Sequence, residues 1–166
     1  MAESRHRLLA VCGLYCGACY HYLAASPQGK HLLEEAARQG RDVDGFACQG
    51  CRSDVLYVHP GCAQCRIRAC AEEMGVLHCG LCDAFPCERI TAFRDDGRVH
   101  HRDVLTQLEE IRAKGPDRWL AEQAERWRCA CGASFSWYEE TCSNCGAPLA
   151  SYGPDPAGDK PLTGQR

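Results

Sequence analysis

The chain has no long hydrophobic run. Nothing in it approaches the ~18 consecutive apolar residues that a membrane span requires, and the opening Met-Ala-Glu-Ser-Arg-His-Arg-Leu-Leu-Ala-Val-Cys has too short an apolar stretch before Cys12 for a signal-peptide core. Val11 also stands where a lipoprotein cleavage site needs a small residue. An excess of positive charge is equally missing: 19 Lys and Arg against 22 Asp and Glu give a net charge of -3. Each four-thiolate zinc centre would add about -2, so three would take the folded chain to roughly -9. General DNA or RNA binding depends on neutralising phosphates with Lys and Arg, and this balance disfavours it. Catalytic templates are absent as well. There is no Walker loop, no dinucleotide fingerprint after a strand, no HExxH, and no H-x-E paired with P-C-x-x-C; Phe85-Pro86-Cys87 alone does not make that deaminase set.

What the chain has is cysteine. Fifteen of 166 residues, about 9%, are Cys. In a small secreted protein that density means a disulfide framework, but the odd count leaves one thiol over and CxxC pairs dominate the spacing. Both features favour a cytoplasmic, reducing compartment and metal chemistry. The central stretch carries the argument: Cys62-Ala-Gln-Cys65-Arg-Ile-Arg-Ala-Cys70, then Cys79-Gly-Leu-Cys82-Asp-Ala-Phe-Pro-Cys87, a C-x2-C-x4-C pattern written twice. Two thiolates so spaced can wrap one cation, the arrangement of zinc and iron-sulfur sites.

Upstream, Cys12-Gly-Leu-Tyr-Cys16-Gly-Ala-Cys19 is C-x3-C-x2-C. Radical S-adenosylmethionine enzymes use such a triplet, but they need a barrel of roughly twice this length, and the strand-helix alternation that builds one is missing. Cys48-Gln-Gly-Cys51 adds a further pair, so Cys16, Cys19, Cys48 and Cys51 make one candidate four-thiolate site, and Cys62, Cys65, Cys79 and Cys82 a second. Cys12, Cys70 and Cys87 are left over. They form either a third partial site completed by His78 or water, part of a differently divided cluster, or buried apolar thiols. His59, before Pro60-Gly61, reads as a turn residue first and a ligand second.

Taken together, the Cys12 to Cys19 triplet, Cys48 to Cys51, the Cys65 to Val76 segment and Cys79 to Ile90 resemble the cysteine-rich domain-of-unknown-function family 3795, over about residues 8 to 95. The resemblance implies a small metal-binding module and no assignable activity.

Between the motifs, Ser26-Pro27 followed by Leu32, Leu33, Ala36, Ala37 and Gly40 predicts a helix, Val55 to Val58 a strand, and Arg66 to Met74 a helix stopped by Gly75. Asp83 is a candidate cap for a helix through Ile90 and Phe93. Asp95 to His101 reads as a solvated linker with a small basic cluster. Val104, Leu105, Leu108 and Ile111, then Trp119, Leu120, Ala124 and Trp127, predict two helices divided at Gly115-Pro116 with the tryptophans as packing. Cys129-Ala-Cys131-Gly132 and Cys142-Ser-Asn-Cys145-Gly146 resemble a zinc ribbon whose first knuckle is one residue short, with rubredoxin-like iron as the alternative. The acidic Glu139 and Glu140 favour a protein contact there.

The expected fold is thus a small metal-stabilised α+β chain. It comprises a cysteine-rich domain over 1–95 with short helices and CxxC knuckles, a two-helix connector over 96–127, zinc-ribbon β-hairpins over 128–150 and a disordered tail over 151–166. The expected cofactors are two or three Zn2+, or a 4Fe-4S cluster in the first module. The expected role is that of an interaction or adaptor module with a protein partner and no membrane contact; electron transfer or redox sensing through Cys12 to Cys87 is the alternative.

Overall fold

The computed structural model describes residues 6–38, 48–54 and 58–153. Most of the expected strand at Val55 to Val58, the Gly40 helix stop and the chain after 153 lie outside the described residues. The described elements are short helices: α1 (Tyr20–Leu23), α2 (Lys30–Arg38), α3 (Pro60–Ala63), α4 (Arg66–Glu73), α5 (Glu88–Arg94), α6 (Val104–Lys114) and α7 (Pro116–Arg126). Four 3-10 turns join them, at Cys16–Ala18, Pro27–Gly29, Cys79–Leu81 and Val99–His101. No helix among them is long and apolar enough to cross a membrane.

The β part of the expectation is not formed as strands. Among the described residues there are isolated antiparallel bridges only, Leu9 with Tyr15, Arg128 with Ser134 and Thr141 with Pro148. Each bridge closes a tight cysteine turn. Beyond the second and third, one more bond forms, Phe135 N–H to the Trp127 carbonyl at 3.1 Å and Leu149 N–H to the Glu140 carbonyl at 2.9 Å. There the pairing stops, since Trp127 already caps α7. The ribbon is therefore two bridged turns and not two β-hairpins.

The helices begin and end where local chemistry dictates. α4 ends at Met74, and Gly75 follows at φ +64°. α5 is capped by Cys87, not by Asp83. Pro86 bars its predecessor from helical geometry, so the helix can start only after it. α6 and α7 are separated by Gly115 at φ +82°, with Pro116 at the first helical position. Their tryptophans are pinned by edge bonds: Trp119 Nε1 donates to Gln107 Oε1 at 2.8 Å, and Trp127 Nε1 to Gln123 Oε1 at 3.2 Å.

One apolar cluster joins the first cysteine turn, α4 to α7 and the ribbon, while Ala24 with Tyr20, Leu32 and Leu33 forms a satellite. α6 is central, packing against the Cys79–Leu81 turn, α5 and α7. Its Leu108 is fully buried between two cysteine turns. A Cβ on Gly13 would lie 2.8 Å from Leu108 Cγ, and one on Gly80 would lie 3.0 Å from the Leu108 carbonyl oxygen. Each glycine follows a cysteine, Cys12 and Cys79, so the packing of α6 fixes both sulfur-bearing turns.

The segment expected as a solvated linker is folded at its end. His100 and His101 are buried, at 8% and 6% exposure. The His100 ring stacks on Trp137 at 4.2 Å, its Nδ1 pairs with the Tyr138 hydroxyl, and His101 stacks on Phe93 at 3.8 Å while bonding Asp96 at 2.8 Å. Aromatic stacking, which charge pattern does not reveal, outweighs the polarity of the two imidazoles.

Gly13→Ala combines a left-handed backbone (φ +89°) with a contact of 2.8 Å, whereas Gly97→Ala, at φ +91°, meets nothing within 4 Å. We expect Gly97→Ala to lower unfolding free energy by about 1 kcal/mol and Gly13→Ala by about 2–4 kcal/mol, read from denaturant midpoints of the metal-loaded protein.

Candidate metal centres

The C-terminal quartet has the geometry of a single-ion site. The sulfurs of Cys129, Cys131, Cys142 and Cys145 all lie within 4.8 Å of one another. Cys129 to Cys145 is 3.6 Å and Cys131 to Cys142 is 3.7 Å. A tetrahedral ion with bonds of about 2.3 Å to sulfur separates its ligands by about 3.8 Å, so these contacts are edges of such a tetrahedron. Two similar turns build it. In the first, Cys129 N–H bonds the Ala133 carbonyl and Gly132 N–H the Cys129 carbonyl, both at 2.8 Å; in the second, Cys142 N–H bonds Ala147 and Gly146 N–H bonds Cys142, both at 2.8 Å. Gly132 and Gly146 sit at φ +91° and +72°, a region open to glycine at no steric cost. The missing residue of the first knuckle shortens its ring without altering the plan.

The thiols of this quartet are electrostatically split. Asn144 Nδ2 donates to Cys131 Sγ at 3.4 Å and, with the Ala133 amide, pulls the Cys131 thiol down to about 6. Cys145 is lowered by the Ala147 amide but raised more by Cys131, Cys129 and Cys142, which push it up to about 12. Four sulfurs this close cannot all ionise without a cation among them.

The turn at Cys12 repeats the ribbon's plan. Ala10 N–H bonds the Leu14 carbonyl at 2.9 Å, Gly13 N–H bonds the Ala10 carbonyl at 3.0 Å, Leu9 bridges Tyr15, and Gly13 lies at φ +89°. Cys12 thus occupies the position of Cys131, with Ala10 where Cys129 would be. The leftover thiol of the sequence is presented like a ligand sulfur. The signal was legible as Ala-Val-Cys-Gly-Leu against Cys-Ala-Cys-Gly-Ala.

The other eleven cysteines, Cys12 to Cys87, precede α6 and make a band in the sequence whose members act on one another electrostatically. Cys16-Gly-Ala-Cys19 and Cys79-Gly-Leu-Cys82 both fold as 3-10 turns, so these two CxxC segments are alike in structure. The written repeat is not a structural one: Cys62 lies in α3 and Cys65 caps α4, while Cys70 is inside α4 and Cys87 caps α5. Gly50 N–H donates to Cys48 Sγ at 3.4 Å, and Cys51 N–H donates to Cys16 Sγ at 3.5 Å, tying the two candidate pairs together.

Burial raises the thiols of Cys12, Cys16, Cys19, Cys51, Cys62 and Cys79, and repulsion between sulfurs adds to it. Cys16 is raised by burial and by Cys51, Cys19 and Cys62; Cys19 is pushed up to about 12 by burial and Cys48. Cys62 is raised by burial and then by Cys19, Cys51 and Cys48, which places it with the first group. Cys79 is pushed up to about 12 by burial, Cys87, Cys70 and Cys82, so two of the leftover cysteines adjoin the second group. Cys12, raised by burial, feels Cys51, Cys65 and Cys79, members of both.

Two arginines belong to this neighbourhood and were not singled out from sequence. Arg52 Nε donates to the Leu9 carbonyl at 2.8 Å; Arg68 donates to Ser53 at 2.9 Å and to Glu72 at 2.8 Å. Arg52 Nη2 and Arg68 Nη1 are buried without a hydrogen-bond partner. Both cations lower Cys51, opposing its burial. His78 is 1% exposed with Nδ1 unpartnered, and burial followed by Arg52 and Arg112 brings it down to about 4. It is therefore neutral at pH 7, the form in which imidazole binds metal. His59 caps α3, accepting the Gly61 N–H at 3.2 Å, and stacks on His21 at 3.8 Å. Its turn role is the one the structure displays.

A family model described as "Protein of unknown function (DUF3795)" matches residues 8–92, more than half of the chain, and the chain belongs to that family. The match ends before α6 and the C-terminal quartet. No curated protein and no solved structure matches the chain.

The raised thiols set the pH behaviour of the metal-free chain. A thiol whose folded value exceeds its unfolded value near 9 favours the fold fully below pH 9, and that contribution is lost as pH rises through the folded value, about 12 for Cys19 and Cys79. The metal-free protein is expected to lose thermal stability steadily above pH 9, while the metal-loaded protein, whose thiolates are already neutralised, holds its midpoint. Thermal melts from pH 7 to 11 of both forms check this.

Proposed function

We propose that this chain is a multi-site metal-binding protein whose metals hold together an interaction module. The C-terminal quartet binds one Zn2+, and the cysteine band holds one or two further centres. The observation that supports it best is the edge-length agreement in the quartet, where 3.6 and 3.7 Å contacts match a tetrahedral thiolate site. Zinc suits such a site because a filled d shell imposes no geometry of its own. With apparent zinc binding of roughly 10–16 kcal/mol, each centre adds to the stability that a small core supplies without it. The module works in the cytoplasm, where thiols stay reduced, and its ribbon face, carrying the exposed Glu140, meets a protein partner.

A second reading is favoured by the band itself. An iron-sulfur cluster puts each thiolate on a separate iron, so its sulfurs lie further apart than those around one ion. Among the described residues, no second group of three donors converges as tightly as the C-terminal quartet. Half-buried Arg52 and buried Arg68, whose charges act on Cys51, are the partners an anionic thiolate centre calls for. On this reading the first module transfers electrons or senses redox state.

The test is anaerobic purification with Zn, Fe and acid-labile sulfide measured per chain, alongside a visible spectrum. Zinc alone and no colour supports the structural reading; iron with sulfide and absorbance near roughly 400 nm supports the cluster. In either case Cys142→Ser is expected to remove one zinc and leave the remaining metal in place. Loss of all metal from that variant, or a wild-type chain without bound metal, would sink the proposal.

A further inference from the structure

Two of the fifteen cysteines are exposed, Cys131 and Cys145, and both belong to the C-terminal quartet. The other two sulfurs of that quartet sit in the apolar core, Cys129 at 7% exposure and Cys142 at 3%. They share it with Trp127, Phe135 and Trp137. Each exposed sulfur has a buried one beside it on the opposite knuckle: Cys131 lies 3.7 Å from Cys142, and Cys145 lies 3.6 Å from Cys129. The site is thus half anchored in the core and half open to solvent.

This division selects where an oxidant acts. An ion in the quartet keeps all four sulfurs ionised, and the thiolate is the form that peroxides attack. Every cysteine from Cys12 to Cys87 is buried or half-buried, so peroxide reaching the folded chain meets the quartet first. A disulfide needs sulfurs about 2.05 Å apart. Closing either cross-knuckle pair therefore takes a movement of about 1.6 Å from contacts of 3.6 and 3.7 Å. The exposed sulfurs can make that movement while the buried pair stays anchored.

We propose that the C-terminal quartet is a peroxide-responsive switch that exchanges its metal for two cross-knuckle disulfides, Cys131–Cys142 and Cys129–Cys145. This rests on the reading of the quartet as a zinc site and adds its regulation. An exposed thiolate attacks one oxygen of hydrogen peroxide; the O–O bond breaks, a sulfenic acid forms and hydroxide leaves. The buried thiolate opposite then attacks the sulfenic sulfur, the S–S bond forms and a second hydroxide leaves. Two electrons pass from the sulfur pair to one peroxide. Zinc keeps only two thiolates, a second peroxide oxidises these in the same way, and Zn2+ departs. The charge at the site goes from about -2 to zero, so the ribbon face that carries exposed Glu140 becomes less negative.

Zinc is first counted in the metal-loaded wild-type chain and in Cys142→Ser, and about two equivalents of hydrogen peroxide per chain are then added without oxygen. A chromophoric chelator reads the zinc released, and mass spectrometry maps the bridges after the remaining thiols are alkylated. The expected result is about one zinc released per wild-type chain and none from Cys142→Ser, which lacks the quartet's metal. Peptides joined through Cys131–Cys142 and Cys129–Cys145 should be recovered, with circular dichroism unchanged, and a dithiol with added zinc should restore the site. Zinc retained while the other cysteines oxidise, equal release from Cys142→Ser, or a Cys142–Cys145 bridge in place of the cross-knuckle pairs would overturn the switch and leave the zinc reading standing. A wild-type chain whose zinc count before peroxide does not exceed that of Cys142→Ser would sink both.

Discussion

A sulfur buried beside other sulfurs needs a positive charge among them. Desolvation keeps each thiol protonated, proximity discourages its neighbours from ionising, and a protonated thiol is a weak hydrogen-bonding group that stabilises little. A cation reverses all three effects at once. The rest of this chain is arranged around that constraint: glycine-bearing turns present sulfurs inward, arginines border Cys51, and a single long apolar cluster ties the sulfur-bearing turns to a helical pair. Because the core is shared between the cysteine turns, α6 and α7, a metal held by those turns would stabilise the same structure that the apolar core does.

The amount of this that sequence revealed depended on range. Glycine after cysteine, proline at a helix start and helical spacing of Leu and Trp are local signals, and they placed α4, α6, α7 and both ribbon turns. The ribbon strands were overread, since a C-x-C-G turn needs only its own amides and carbonyls and promises nothing beyond them. Asp83 was a reasonable cap by type, but Pro86 delayed the helix until Cys87. The tandem C-x2-C-x4-C pattern is a repeat of spacing and not of backbone. Identical spacing put one third cysteine inside a helix and the other at a helix start, because the residues between decide backbone geometry.

What depended on distant partners was illegible. Nothing in Arg98 to Arg102 announces that His100 will lie flat on Trp137, and Arg52 looks like an ordinary surface cation until the Leu9 carbonyl draws it inward. The gathering of three tryptophans from α7 and the ribbon against Tyr15 is of the same kind. Each was readable as packing; their common cluster was not.

The Leu108 side chain lies over Gly13 and its carbonyl over Gly80, so turns inside the residues the family model matches pack against a helix outside them. The family's residues supply one surface and the helix after them supplies the other. A relative that ends near residue 95 would need another segment, from its own extension or from a second polypeptide, to cover the same turns. The diversity permitted downstream of the family's cysteines is thereby limited: many segments can follow, provided one of them packs against those turns.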